Sequence, residues 1–157
     1  MKMTLLTVGK TGAPWIKEAL DIYSSRLSRY VRFSVKEIPD LKKAASLSKN
    51  QVKEKEGERI LQSLKDSDRV VLLDERGKEM RSVDFAKEIS GYLSLGKDIV
   101  FVIGGAYGFS DAVYSRSEGM LSLSRMTFSH QMARAIFAEQ LYRAFTILKG
   151  EPYHHEG

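Results

Sequence analysis

Two unbroken apolar runs, Val70-Val71-Leu72-Leu73 and Ile99-Val100-Phe101-Val102-Ile103, constrain the fold of this chain more than any other feature. A strand with one wet face alternates apolar and polar residues, whereas a strand covered on both faces reads as a continuous apolar run. Both runs are far shorter than the roughly 20 residues of a membrane-spanning helix. They therefore predict central strands of a sheet with helices packed on each side.

The rest of the chain supplies the remaining layers. Apolar patterning predicts strands over residues 3–8, 33–38, 69–74, 98–103 and 120–124. Helical spacing predicts helices over 15–30, 52–64, 110–118 and 129–149, and a further helix capped by Ser82 with Phe85, Ile89, Tyr92 and Leu93 as its apolar stripe. In the first helix Trp15, Ala19, Ile22, Tyr23 and Leu27 share a face; in the 52–64 helix Ile60, Leu61 and Leu64 point inward. Pro39-Asp40 stops the second strand, the Lys- and Ser-rich stretch 42–50 reads as a loop, and Gly150 ends the last helix. Strand and helix alternate throughout, which predicts an α/β fold with a mostly parallel sheet and helices on both faces. The 157 residues show no linker or repeat and fit one domain.

Charge and cysteine content narrow the function. The chain has no cysteine, hence no disulfide framework and no thiolate metal site, and a net charge of +5 that favours a polyanionic partner. The N-terminus lacks the apolar core and cleavage site of a signal peptide, so a cytoplasmic location is expected. His154 and His155 are adjacent and do not form a ligand-spaced set with His130, so no metal is expected.

Several motifs carry chemistry. Gly9-Lys10-Thr11 lacks the upstream glycine of a phosphate-binding loop, because Thr4 stands in its place. Gly104-Gly105-Ala106-Tyr107-Gly108 follows a buried strand and precedes a helix, where open α/β sheets bind ligands; a bare tight turn is the alternative. Asp74-Glu75-Arg76-Gly77 lies at another strand end and reads as a solvated turn before a catalytic pair. The segment 121–132 joins a strand to a helix without Gly or Pro, so its hydroxyls and backbone groups either hold the loop or line a cofactor pocket. His130 opens the last helix. Phe137, Leu141, Ala144, Phe145 and Leu148 share one face of that helix, and Arg134 lies on the same arc. A buried guanidinium needs a partner in this chain, in a second subunit or in a ligand. Glu139 and Arg143 lie opposite, spaced for an ion pair on a solvated or dimer-forming face.

In order and spacing, the segments MTLLTVGK, VKEKEGERIL, LDERGK, FVIGGAYG, LSLSRMTFSHQMARAIFAEQLYRAF and EPYHH together resemble the RlmH family of SPOUT (trefoil-knot) rRNA methyltransferases across the whole chain. The resemblance implies a deep C-terminal trefoil knot, a homodimer and S-adenosylmethionine held by the knot loops. Carried onto this sequence, the cofactor contacts are Leu73, Gly104 with its neighbour Gly105, and Leu123, Ser124, Arg125, Met126, Thr127 and Phe128. The implied reaction methylates N3 of a pseudouridine in helix 69 of 23S rRNA on the assembled ribosome. The catalytic candidates are His130, Arg134, Glu139, Arg143, Tyr153 and His154, with the base among His130, Glu139 and His154. Arg26, Arg29, Arg32, Lys36 and the basic residues of 42–55 are candidate phosphate contacts. Two alternatives remain: a methyltransferase of the same class acting on tRNA or another rRNA site, and a ribosome-associated protein without catalysis.

Overall fold

A computed structural model describes residues 1–155. The elements run β1 (Lys2–Val8), α1 (Pro14–Leu27), β2 (Arg32–Ile38), α2 (Lys49–Gln62), β3 (Arg69–Glu79), α3 (Ser82–Leu95), β4 (Ile99–Ile103), α4 (Asp111–Arg116), β5 (Gly119–Ser122) and α5 (His130–Leu148). The five strands form one sheet in the order β2-β1-β4-β3-β5, and every neighbouring pair is parallel. The two apolar runs are thus adjacent strands, β3 and β4, each flanked on both sides. One face carries Met3, Leu5, Val71, Phe101 and Ile103 against α1, α3 and α5; the other carries Leu6, Val8, Leu72 and Val102 beneath Ile60 of α2 and Val113 of α4. The chain inserts β4 between β1 and β3, crosses outside β3 to make β5, and returns through α5 to α1 and α3. That path is consistent with the knotted arrangement the resemblance implies.

The differences from the sequence reading have local causes. The structure starts α2 at Lys49, inside the expected loop, because Ser48 and Gln51 close a capping box, with Gln51 N–H donating to Ser48 Oγ at 3.1 Å and Ser48 N–H to Gln51 Oε1 at 2.8 Å. Ser82 does not cap α3: Arg81 occupies that position, and the Ser82 hydroxyl donates to Gln140 Oε1 of α5 at 2.8 Å. In α1 the buried residues are Ile16, Leu20 and Leu27, whereas Trp15 is 61% and Ile22 43% exposed. One residue of rotation, 100°, separates the buried stripe from the exposed one, so both read as apolar faces. Leu93 and Leu148 are also exposed, each near the end of its helix.

Candidate active site

β3 does not end at Asp74. Leu73 and Lys78 both pair with Leu121 of β5, and the residues between them bulge outward at the carboxyl ends of the strands. At the end of the bulge Gly77 packs against β5, where a Cβ would lie 2.6 Å from the backbone nitrogen of Leu121. Backbone cannot yield as a flexible side chain does, so Gly77→Ala should detach the bulge from β5 and cost about 2 kcal/mol or more, read as a lower melting temperature and lost ligand binding.

Beside the bulge, β4 runs into Gly104–Gly108, and β5 into the 123–129 loop. Ser124 Oγ accepts the Met126 N–H at 2.9 Å and Ser129 Oγ caps α5 through the Met132 N–H at 3.1 Å, so hydroxyls hold this glycine-free loop. The three loops enclose an open cleft of about 920 Å³. Leu73, Gly104, Gly105, Leu123, Ser124, Met126, Thr127, Phe128 and His130 line it. Among the expected cofactor residues Arg125 is the exception: it is exposed and its Nε lies 3.8 Å from Glu79 Oε1.

The cleft also carries Asp74, Glu75, Asp111 and Tyr114. Asp74 is not the solvated turn residue that the sequence suggests: its carboxylate is nine-tenths buried, accepts the Arg76 N–H at 2.8 Å and accepts the Tyr114 hydroxyl in a short hydrogen bond. Burial, then this bond, pushes the Tyr114 phenol up, so it stays protonated as the donor. Asp74 has a sequence signal in its place at an expected strand end; Tyr114 lies 40 residues downstream in α4, and no local spacing joins the two.

Arg134 lies elsewhere. It is 0% exposed, donates from Nη1 to Thr11 Oγ1 at 2.8 Å and from Nη2 to the Val8 carbonyl at 2.9 Å, and its Nη1 lies 3.5 Å from Glu37 Oε2. The partner demanded by its burial is therefore inside the chain, and Arg134 does not line the cleft: its position corrects the expectation of a catalytic role. Burial opposes the charge of Glu37, but the Thr11 hydroxyl and amide and then Arg134 outweigh it, and its carboxyl is held below the ordinary value of 4.5. Next to Arg134, Gln131 staples the β1–α1 loop to α5, accepting the Gly12 N–H at 2.9 Å and donating to the Lys10 carbonyl at 3.0 Å. Gly9-Lys10-Thr11 is thus a structural turn.

Glu139, Arg143, Tyr153 and His154 come together, but not at the cleft. Arg143 forks onto Glu139 Oε1 through Nε at 3.1 Å and through Nη2 at shorter range, and its Nη1 lies 3.1 Å from His154 Nδ1. Tyr153 donates to Glu139 Oε1 at 3.1 Å and packs edge-on against Tyr142, with Arg143 over its ring. Burial first, then the Tyr23 hydroxyl and Glu139, push the Tyr153 phenol far up, so it remains protonated. At a rise of 1.5 Å per residue, Glu139 and Arg143 lie roughly 14 and 20 Å along α5 from His130. Among the described residues, no group of His, Asp and Glu is placed to hold a metal ion.

A sequence profile described as "Predicted SPOUT methyltransferase" matches residues 1–154. The chain belongs to the SPOUT methyltransferase family. Similar proteins include "Ribosomal RNA large subunit methyltransferase H" of Christiangramia forsetii, 53% identical over 99% of both chains. The protein of that name from Bacteroides thetaiotaomicron is 53% identical over 99% of this chain and all of the relative. The structure is also similar to the SpoU methyltransferase AviRb of Streptomyces viridochromogenes, at a TM-score of 0.46 and 13% identity, covering 96% of this chain and 61% of that one. A second structure of AviRb, in complex with AdoMet, gives a TM-score of 0.45 at 13% identity over 90% of this chain and 57% of that one. The cofactor of a SPOUT methyltransferase is S-adenosylmethionine, and the cleft fits it chemically. Leu73, Leu123, Met126 and Phe128 offer apolar walls for a nucleoside, and the loop backbone offers its polar groups. Asp74, Glu75 and Asp111 offer carboxylates to a ligand that carries sulfonium and ammonium charges. Both of these relatives are named as ribosomal RNA methyltransferases, and no helix among the described residues is long and apolar enough to cross a membrane.

Proposed function

We propose that this SPOUT methyltransferase transfers a methyl group from S-adenosylmethionine to N3 of a pseudouridine in helix 69 of 23S rRNA on the assembled ribosome, in the cytoplasm, and that it works as a homodimer. The cleft of Leu73, Gly104, Gly105 and residues 123–128 holds the cofactor. The observation that carries this reading is the convergence of those residues from three separate loops into one cleft, in a chain half identical to named rRNA large subunit methyltransferases.

When bound, S-adenosylmethionine supplies an electrophilic methyl group. The chain's own residues manage the base. An imide N3–H must lose its proton before the nitrogen attacks, and the negative charge spreads onto the flanking carbonyl oxygens. Arg143 supplies a cation for that charge, aimed by the fork onto Glu139. Tyr153, kept protonated, fixes the Glu139 carboxylate by donating to it, and His154 lies on the Arg143 guanidinium where the base is received. His130 stands in the cleft itself and is the group in this reading that accepts the N3 proton and passes it to solvent.

Cleft and cluster lie too far apart on α5 to meet one base within a single copy. A second copy supplies the missing half. Exposed Trp15 and Ile22 on α1, beside Tyr23 of the cluster, give that copy an apolar stripe to cover. The test of the reaction is transfer of labelled methyl to ribosomes that lack the modification, with mass mapping of helix 69. Label on pseudouridine N3 with ribosomes and none with tRNA supports the reading. Label on tRNA alone reassigns the substrate, and no label on any RNA with folded protein removes the enzyme reading.

A further inference from the structure

Glu56 presses on the cofactor loop from behind. A Cβ built on Gly105 would lie 2.6 Å from Glu56 Oε1 and 2.7 Å from Oε2, so the carboxyl packs directly against the backbone of the glycine loop. Oε1 is buried and has no hydrogen-bond partner. A glutamate on a helix has water within reach at little cost, whereas a buried carboxyl oxygen without a donor is expensive. Such a cost marks a position held for a reason other than stability.

The next residue holds the other end of the same loop. Gly57 has no side chain, and a Cβ there would collide with Ser110 Oγ. Ser110 is the residue that ends the loop and caps α4, accepting the Val113 N–H at 3.4 Å. Further along the same helix face, Lys53 lines the cleft and Lys49 lies 5.6 Å from the centre of the Tyr107 ring. One face of α2 therefore follows the loop from end to end, with Glu56 and Gly57 at its two anchor points.

We propose that Glu56 is a positioning residue for the cofactor: its carboxyl braces Gly105 from behind while Gly57 seats Ser110, and together they hold the Gly104–Phe109 segment in the shape that S-adenosylmethionine meets. This rests on the assignment of the cleft to that cofactor. The brace works by shape and not by charge. Burial, then the nearby Asp40 carboxylate, raises the Glu56 carboxyl, with Arg59 opposing, so the site disfavours the anion. A neutral side chain of the same outline should serve as well.

The experiment is calorimetric titration of the full-length protein with S-adenosylmethionine, alongside methyl transfer to ribosomes at saturating cofactor. Glu56→Ala should weaken cofactor binding about tenfold, because a loop freed by a fraction of an ångström loses its fit. Its kcat at saturating cofactor and its KM for ribosomes should stay within about twofold. Glu56→Gln should restore cofactor binding to within about twofold of wild type, and Glu56→Asp, which withdraws the carboxyl by one methylene, should fall between. The Gln and Asp variants keep the test alive if the Ala variant melts too low to titrate. Wild-type affinity in Glu56→Ala overturns the proposal, as does a Glu56→Gln variant as weak as Glu56→Ala. A loss confined to kcat or to the ribosome KM overturns it too. These outcomes leave the cleft assignment standing. Failure of the wild-type protein to bind S-adenosylmethionine removes that assignment and this proposal together.

Discussion

Arg134→Ala should cost about 3 kcal/mol of stability, lowering the melting temperature by roughly 10 °C. The substitution strands the Val8 carbonyl, the Thr11 hydroxyl and the Glu37 carboxylate that now share the guanidinium. Glu37 is a third exposed, so water compensates part of its loss, which places the cost at the lower end for a broken buried pair. The same contact makes stability depend on acid. The Glu37 carboxyl is depressed in the folded state, so its contribution is complete above its unfolded value of 4.5 and is lost as pH falls through the lower folded value. Thermal melts between pH 7 and pH 3 check this. Arg134→Ala should start lower and fall less steeply in acid than wild type, whereas parallel curves would show that Glu37 is not the partner that matters.

Arg143→Ala should leave the fold and the cofactor affinity in place yet reduce kcat by about a hundredfold or more, the usual loss when a preorganised cation or donor is removed from a developing anion. The guanidinium is not part of the cleft lining, so calorimetric titration with S-adenosylmethionine should match wild type. A drop in cofactor affinity equal to the drop in turnover would place Arg143 in the cofactor site instead. Tyr153→Phe removes one donor to Glu139 and keeps the ring against Tyr142, so its loss should be smaller.

Much of this molecule is legible in the sequence because its strongest signals are local. The unbroken runs 70–73 and 99–103 specify doubly covered strands, and they are indeed β3 and β4 at the interior of the sheet. The buried guanidinium of Arg134 follows from its place on the apolar arc of α5, and its need for a partner follows from desolvation. Which partner it takes does not follow, since Thr11 and Glu37 lie 123 and 97 residues away. The face of α1 fails for a related reason: two apolar stripes sit side by side, and only packing against α5 and the sheet decides between them. The brace of Glu56 on Gly105 has no local signature, because a charged helix residue reads as solvent-facing until the tertiary contact is seen. The cofactor residues that the family resemblance implies do line the cleft, apart from Arg125, whereas Asp111 and Tyr114, which share that lining, carry no signal in the sequence. The separation of Glu139, Arg143, Tyr153 and His154 from that cleft emerges only in three dimensions.

A site shared between two copies is tested by mixed dimers. Ser124→Trp, chosen to fill the cleft, abolishes cofactor binding in one copy, and Arg143→Ala removes the cation from the other. Each variant alone should be inactive. Mixed in equal amounts and allowed to exchange, they should recover about a quarter of wild-type activity: half of the dimers are then hybrids, each with one intact cleft facing one intact cluster. A mixture that exchanges subunits and stays as inactive as its components would contradict the account, because cleft and cluster would then have to serve the same base from a single copy.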